Sequence, residues 1–131
     1  MNLLDTNICI AYLRTRSAPV ARRMKAAGAD QLCISSLTAG ELYTGAIKSK
    51  RATNLGDLDL FLMNITTVDF DLEAARAYGF LRSHLEAKGE SIGPLDLLIA
   101  AHALTLGATL VTNNVREFIR VPQLRVEDWM Q

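Results

Sequence analysis

Four polar residues stand at places in the chain where chemistry could be done. Asp5 ends the short apolar run Leu3-Leu4, Glu41 follows the apolar stretch Leu32-Cys33-Ile34, Asp96 follows Gly93-Pro94, and Asn114 follows Thr109-Leu110-Val111-Thr112. Each has an ordinary structural explanation when taken singly. Asp5 can be a helix N-cap. Thr38-Ala39-Gly40-Glu41 matches a reciprocal capping box, although Ser35 or Ser36 can equally be the cap and leave Glu41 one turn inside its helix. Asp96 in a first helical turn is favoured by the helix dipole, and Asn113-Asn114 are common turn residues. If the carboxylates converge on one cleft, however, they repel, and either a pKa rises or a cation is required. No Lys or Arg sits beside these motifs at a spacing that would neutralise them. A hard divalent cation with oxygen ligands would, and Mg²⁺ needs only a few protein oxygens because it retains several waters. Such a cation polarises a phosphoryl oxygen and makes a water more acidic.

The elements that must position these residues alternate between strand and helix. Strand patterns cover the short Leu3-Leu4 run, Leu32–Ser35, Ile65–Val68 and Thr109–Thr112, with a weak one near Leu124–Val126. Helical patterns cover Thr6–Leu13, a stretch from Pro19 to Gly28, Thr38–Lys48, residues 51–63, a long helix over 72–88 capped by Asp71 and stopped by Gly89, and one opened by Gly93-Pro94 and closed by Gly107. This order predicts an α/β fold: one domain over residues 1–131, with a central, mostly parallel sheet of four to five strands covered by helices on both faces. Ligands gather at the carboxyl edge of such a sheet, where Asp5, Glu41 and Asn114 would lie. In the helix of Asp96, Ala100 and Ala103 form a stripe of small residues that lets it approach the sheet and turns Asp96 inward.

Composition excludes several classes. No apolar run reaches the ~18 residues of a membrane span and no basic leader precedes the first strand, which reads as cytoplasmic. Cys9 and Cys33 lack CxxC spacing and read as buried free thiols. Fourteen basic residues balance fourteen acidic ones, so bulk charge does not announce a nucleic-acid partner. Arg14, Arg16, Arg22, Arg23 and Lys25 nevertheless cluster with no acid among them, either as a solvated face or as a phosphate-contacting rim. Nucleotide-binding glycine loops and a GxSxG elbow are absent. His102 shares a side with Leu95, Leu98 and Leu106 and reads as a satisfied core-edge histidine; His84 reads as exposed, and Trp129 and Phe118 as packing residues.

Four motifs resemble one family: Leu4-Asp5-Thr6-Asn7, Ser35-Ser36 through Glu41-Leu42, Gly93-Pro94-Leu95-Asp96-Leu97-Leu98-Ile99-Ala100-Ala101, and Val111-Thr112-Asn113-Asn114-Val115-Arg116-Glu117-Phe118. With the closing Leu124–Trp129 stretch they span the chain in the order of the PIN-domain ribonuclease toxins of the VapC type, from bacterial toxin–antitoxin pairs. The resemblance implies catalytic Asp5, Glu41, Asp96 and Asn114, with Asp5 and Asp96 as ligands of Mg²⁺ or Mn²⁺, Glu41 orienting or deprotonating water, and Thr6, Ser36 and Thr112 as polar helpers. The fourth position is commonly Asp in the family; an amide there brings no charge, and the sequence leaves open whether Glu117 compensates. The resemblance further implies a cognate antitoxin of the VapB type that covers the cleft and inserts an Arg among the carboxylates, operator DNA bound only through that antitoxin, a homodimer, and an RNA substrate. The TNN-x-REF form resembles the subgroup that cuts initiator tRNA in its anticodon loop.

Three other readings compete. A receiver-like signalling domain would use Asp5 as phospho-acceptor, but that design wants paired acids before the first helix and a Lys after the late strand, and neither is present. A haloacid-dehalogenase-type phosphatase would need a second Asp beside Asp5. A catalytically weak PIN module that only binds RNA is favoured by Asn114 and opposed by the three acids.

Overall fold

The computed structural model describes residues 1–51 and 53–131. Five strands, β1 (Asn2–Leu4), β2 (Leu32–Ser35), β3 (Thr66–Val68), β4 (Thr109–Val111) and β5 (Val126–Glu127), form one sheet in the order β3-β2-β1-β4-β5. Every adjacent pair is parallel. Seven helices connect them among the described residues: α1 (Thr6–Leu13), α2 (Ala18–Ala27), α3 (Ser36–Lys48), α4 (Thr53–Met63), α5 (Leu72–Ala87), α6 (Pro94–Leu106) and α7 (Val115–Phe118).

Parallel strands covered on both faces should be apolar on both sides, and these are. Leu4, Ile34 and Val111 pack with residues of α1 to α4, such as Ile8, Val20, Leu42 and Phe61, on one face. Their neighbours Leu3, Cys33 and Leu110 face Leu81, Leu85, Leu97, Ala100 and Phe118 of α5, α6 and α7 on the other. Cys9 and Cys33 are free, buried thiols. Trp129 and Phe118 are buried and His84 is exposed.

Local chemistry sets the element boundaries. Asp71 caps α5 by accepting the Ala74 N–H at 2.9 Å, and Gly107 ends α6 at φ 61° in the left-handed region open to glycine. Besides shifts of one residue at ends of α2, β3, β4 and α5, three boundaries differ from the sequence expectation. Helix α3 starts at Ser36 rather than Thr38, because Ser35 is its cap and accepts the Leu37 N–H at 3.1 Å; the Thr38–Glu41 capping box is therefore not used. The expected helix over 51–63 begins at Thr53, with residue 52 outside the described residues. The last strand is Val126–Glu127 rather than 124–126, since the chain is still turning at Gln123, φ 67°. Sheet bonding starts where Leu110 N–H donates to the Arg125 carbonyl at 2.8 Å.

From β1 the chain moves outward to β2 and β3, then returns through α5 and α6 to β4 on the other side of β1. Strand order therefore reverses at β1, and the carboxyl ends of β1 and β4 flank the crevice where ligands bind in open α/β sheets. Helix α6 lies close to the sheet along a run of small residues, Ala100, Ala101 and Ala103, which are fully enclosed beside the larger buried Leu97, Ile99 and His102. Ala100→Leu should therefore cost about 1–3 kcal/mol through overpacking in urea unfolding, whereas Ala75→Leu, on the exposed side of α5, should stay within about 0.5 kcal/mol of the unchanged protein.

Candidate active site

Asp5 ends β1 in extended conformation, and its Oδ1 accepts the Ile8 N–H at 3.0 Å, so it does cap α1. The cap does not exhaust the carboxylate, which also accepts the Asn7 N–H and the Thr112 side chain. Thr112 is fully buried at the end of β4, and its Oγ1 accepts the Asn114 N–H at 3.0 Å. One hydroxyl thus ties the carboxyl ends of the two strands at the switch point. Burial nevertheless pushes the Asp5 carboxyl above its ordinary pKa, against these bonds.

Asp5, Thr6, Asn7, Glu41, Leu95, Asp96 and Ile99 line one cavity of about 200 Å³. Asp5 comes from the end of β1, Glu41 from the second turn of α3 and Asp96 from the first turn of α6. Asp96 is pushed up to about 6, first by burial, then by the negative charges of Glu117 and Asp5 and by a hydrogen bond with Glu117, with the Asn114 side chain pulling the other way. Desolvation and nearby like charge both disfavour the ionised form of Asp96.

Glu117 is the residue whose part the sequence leaves open. Its Oε1 accepts the Gly93 N–H at 2.6 Å, at the start of α6, and its Oε2 accepts from Asn114 Nδ2 at 2.7 Å. The signal for it is the spacing Asn114-x-x-Glu117, which puts both side chains on one side of a single helical turn. The Asn114 amide donates to Glu117 and Asp96, so in this arrangement it serves as a donor to carboxylates. Asn7 is a second addition, at the cavity wall. Ser36 stands apart: its hydroxyl accepts the Phe70 N–H at 3.1 Å, and it is not part of the cavity lining. The basic residues Arg14, Arg16, Arg22, Arg23 and Lys25 are all exposed. Arg23 is committed to Glu127, at 3.1 Å, and to the face of Trp129.

Residues 3–124 match the PIN domain family. The chain is 43% identical over 128 residues to the tRNA(fMet)-specific endonuclease VapC of Shigella flexneri, covering 97% of this chain and 96% of that one. The chain belongs to the VapC family of PIN-domain ribonucleases. Its fold superposes on VapC-containing structures: DNA-bound VapBC from Salmonella typhimurium, at a TM-score of 0.93 and 40% identity over 98% of this chain and 97% of that one, and VapBC2 from Rickettsia felis bound to a promoter DNA fragment, at 0.91 and 40% over 98% of each.

PIN-domain nucleases generally use a divalent metal. Among the described residues, no three His, Cys, Asp or Glu side chains stand close enough together to form a ready-made metal cage. The donor set is hard oxygen throughout, and burial, followed by the negative charges of Glu117 and Asp5, raises the Asp96 pKa. That fits a hard cation which keeps several of its waters and takes only a few protein oxygens.

The raised Asp96 pKa has a consequence for stability. The folded group holds its proton up to about pH 6, whereas an unfolded Asp loses it near 4. Its protonation therefore favours the fold at low pH, and that contribution is lost as pH rises through about 6. In metal-free buffer, Asp96→Asn should be more stable than the unchanged protein by about 1–2 kcal/mol at pH 7.5, and the gap should close near pH 4; urea unfolding at the two pH values measures both.

Proposed function

We propose that the chain, acting as one PIN domain over residues 1–131, is a divalent-metal-dependent endoribonuclease toxin. The observation that carries this reading is the convergence of Asp5, Glu41 and Asp96 on one cleft, where burial and then neighbouring negative charge raise the Asp96 carboxyl.

In this reading Asp5 and Asp96 hold Mg²⁺, with Mn²⁺ as a substitute. When bound, the cation neutralises charge developing on the scissile phosphate and makes water more acidic. Glu41, on the exposed side of the cleft, orients the attacking water and takes its proton. Thr112 and the free amides at the start of α1 hold Asp5 in one rotamer. Asn114 and Glu117 hold Asp96 from the opposite side, and Glu117 supplies the charge that the amide at 114 does not. Thr6 lines the cleft, and Ser36 acts at a distance by anchoring the residues that precede α5. The products are two RNA fragments, the phosphodiester having been opened by water.

Similarity to a tRNA(fMet)-specific endonuclease over nearly the whole chain supports initiator tRNA as substrate, cut in the anticodon loop. Similarity to VapBC complexes on DNA supports a cognate antitoxin of the VapB type that occupies the cleft and carries the complex to operator DNA. An antitoxin Arg placed among Asp5, Asp96 and Glu117 would form charge-assisted bonds in place of the cation. A homodimer and a cytoplasmic location complete the proposal; among the described residues no helix is long and apolar enough to cross a membrane.

Purified, antitoxin-free protein should cleave initiator tRNA with Mg²⁺ and not with EDTA. Asp5→Asn and Asp96→Asn should each lower the rate by at least about 10³-fold without loss of fold. Asn114→Ala should cost less, about 10-fold, since it removes an orienting amide and no charge. Retained cleavage by either Asp variant would refute the metal assignment, and absence of metal-dependent cleavage on total RNA would leave a binding module. Separately, millimolar Mg²⁺ should raise the melting temperature of the unchanged protein and leave that of Asp96→Asn nearly unmoved.

A further inference from the structure

His102 is buried in α6, 1% exposed, where its Nδ1 lies 2.9 Å from Ser35 Oγ. Ser35 Oγ accepts the Leu37 N–H as the cap of α3, and it keeps its hydroxyl hydrogen and a second lone pair, so the partner on the far side of the ring decides which of the two meets Nδ1. The other side of the imidazole meets the backbone carbonyl of Asp69, which can only accept. One arrangement satisfies all these groups: Nε2–H donates to the Asp69 carbonyl while Nδ1 accepts from Ser35. Burial favours this neutral ring, with the Asp71 carboxylate and the Asp69 carbonyl opposing it. Phe70 closes the site edge-on, 5.3 Å from the imidazole centroid, and its own N–H is held by Ser36. The residues between β3 and α5 are therefore fastened to the head of α3 and to α6 at once.

The two helices joined by the Ser35–His102 bond are those that carry Glu41 and Asp96. Each carboxylate lies about two turns from the link along its own helix, and both line the same cavity. We propose that His102, fixed as the Nε2–H tautomer between Ser35 and the Asp69 carbonyl, is a positioning residue that sets the spacing of Glu41 relative to Asp96. The proposal rests on the ribonuclease reading, in which those two carboxylates act on one phosphodiester. His102 does not line the cleft, so its contribution is to the rate of the reacting complex and not to RNA affinity.

Two readouts on the full chain test this, one of which needs no activity. In ¹⁵N-labelled unchanged protein at pH 7, long-range nitrogen–proton correlation should show His102 with a bare Nδ1 and a protonated Nε2; the opposite tautomer or an imidazolium overturns the proposal. In kinetics, His102→Asn places an amide oxygen where Nδ1 accepts from Ser35, whereas His102→Gln reaches toward Asp69 and abandons Ser35. His102→Gln should lower kcat on RNA about 10- to 100-fold, the scale of a small misplacement of catalytic groups, with KM within about twofold, and His102→Asn should keep kcat within about threefold. Equal kcat in both variants, or a loss confined to KM, overturns the proposal. If these variants do not fold, Ser35→Thr, which keeps cap and hydroxyl, against Ser35→Ala carries the same comparison, with equal kcat again the refuting result. An unchanged protein that cleaves no RNA refutes the ribonuclease reading instead and leaves the tautomer measurement standing.

Discussion

Like-charge crowding at the carboxyl edge of the sheet is the constraint on which the rest of this structure depends. Asp5, Asp96 and Glu117 are brought together by three separate parts of the chain, and water does not fully screen them. Two of these carboxyl groups are pushed up, Asp96 to about 6. Holding such groups in place is costly, and the surrounding fold can be understood as what offsets that cost. The free N–H groups at the head of α1 and the buried Thr112 hydroxyl face Asp5. The Gly93 N–H and the Asn114 amide face Glu117. Each donor comes from a strand end or a helix start, where backbone groups are left unpaired by the regular elements.

The strand order makes that convergence possible. Because the chain leaves β1 in one direction and returns to the other side for β4, the two central strands end side by side with no crossover helix between them. Asp5 and Thr112 can then touch. Helix α6 supplies the third element, and its enclosed alanines let it lie close enough to present Asp96 to the same cleft. The buried Ser35–His102 bond fastens the fourth, α3, at the level beneath the cleft. Packing residues and site residues are thus alternating positions on the same short segments: Leu4 beside Asp5, Leu97 beside Asp96, Val111 beside Thr112.

Much of this was legible in the sequence, for identifiable reasons. Alternation of apolar strand runs with helical periodicity gave the parallel architecture, and caps such as Asp71 and stops such as Gly107 gave most boundaries within a residue or two. The stripe of alanines after Asp96 marked the close approach of α6. Other features depend on long-range contacts that spacing cannot express. Whether Ser35 or Thr38 caps α3 is decided by which hydroxyl faces the helix start, and the late turn at Gln123 shifts β5 by two residues. Glu117 enters the cluster because the Gly93 N–H is there to receive it, a contact between residues far apart in sequence. Ser36, expected beside the other polar helpers, is drawn instead to the Phe70 N–H.

The most direct test of a carboxylate cluster built for a cation is calorimetry of Mn²⁺ binding at pH 6 in buffers of different ionisation enthalpy, which counts the protons released. If the cation displaces the proton that Asp96 holds, binding at pH 6 should release about half a proton, and the release should fall toward zero by pH 8. Binding without proton release at pH 6, or the same release from Asp96→Asn, would contradict the arrangement described here.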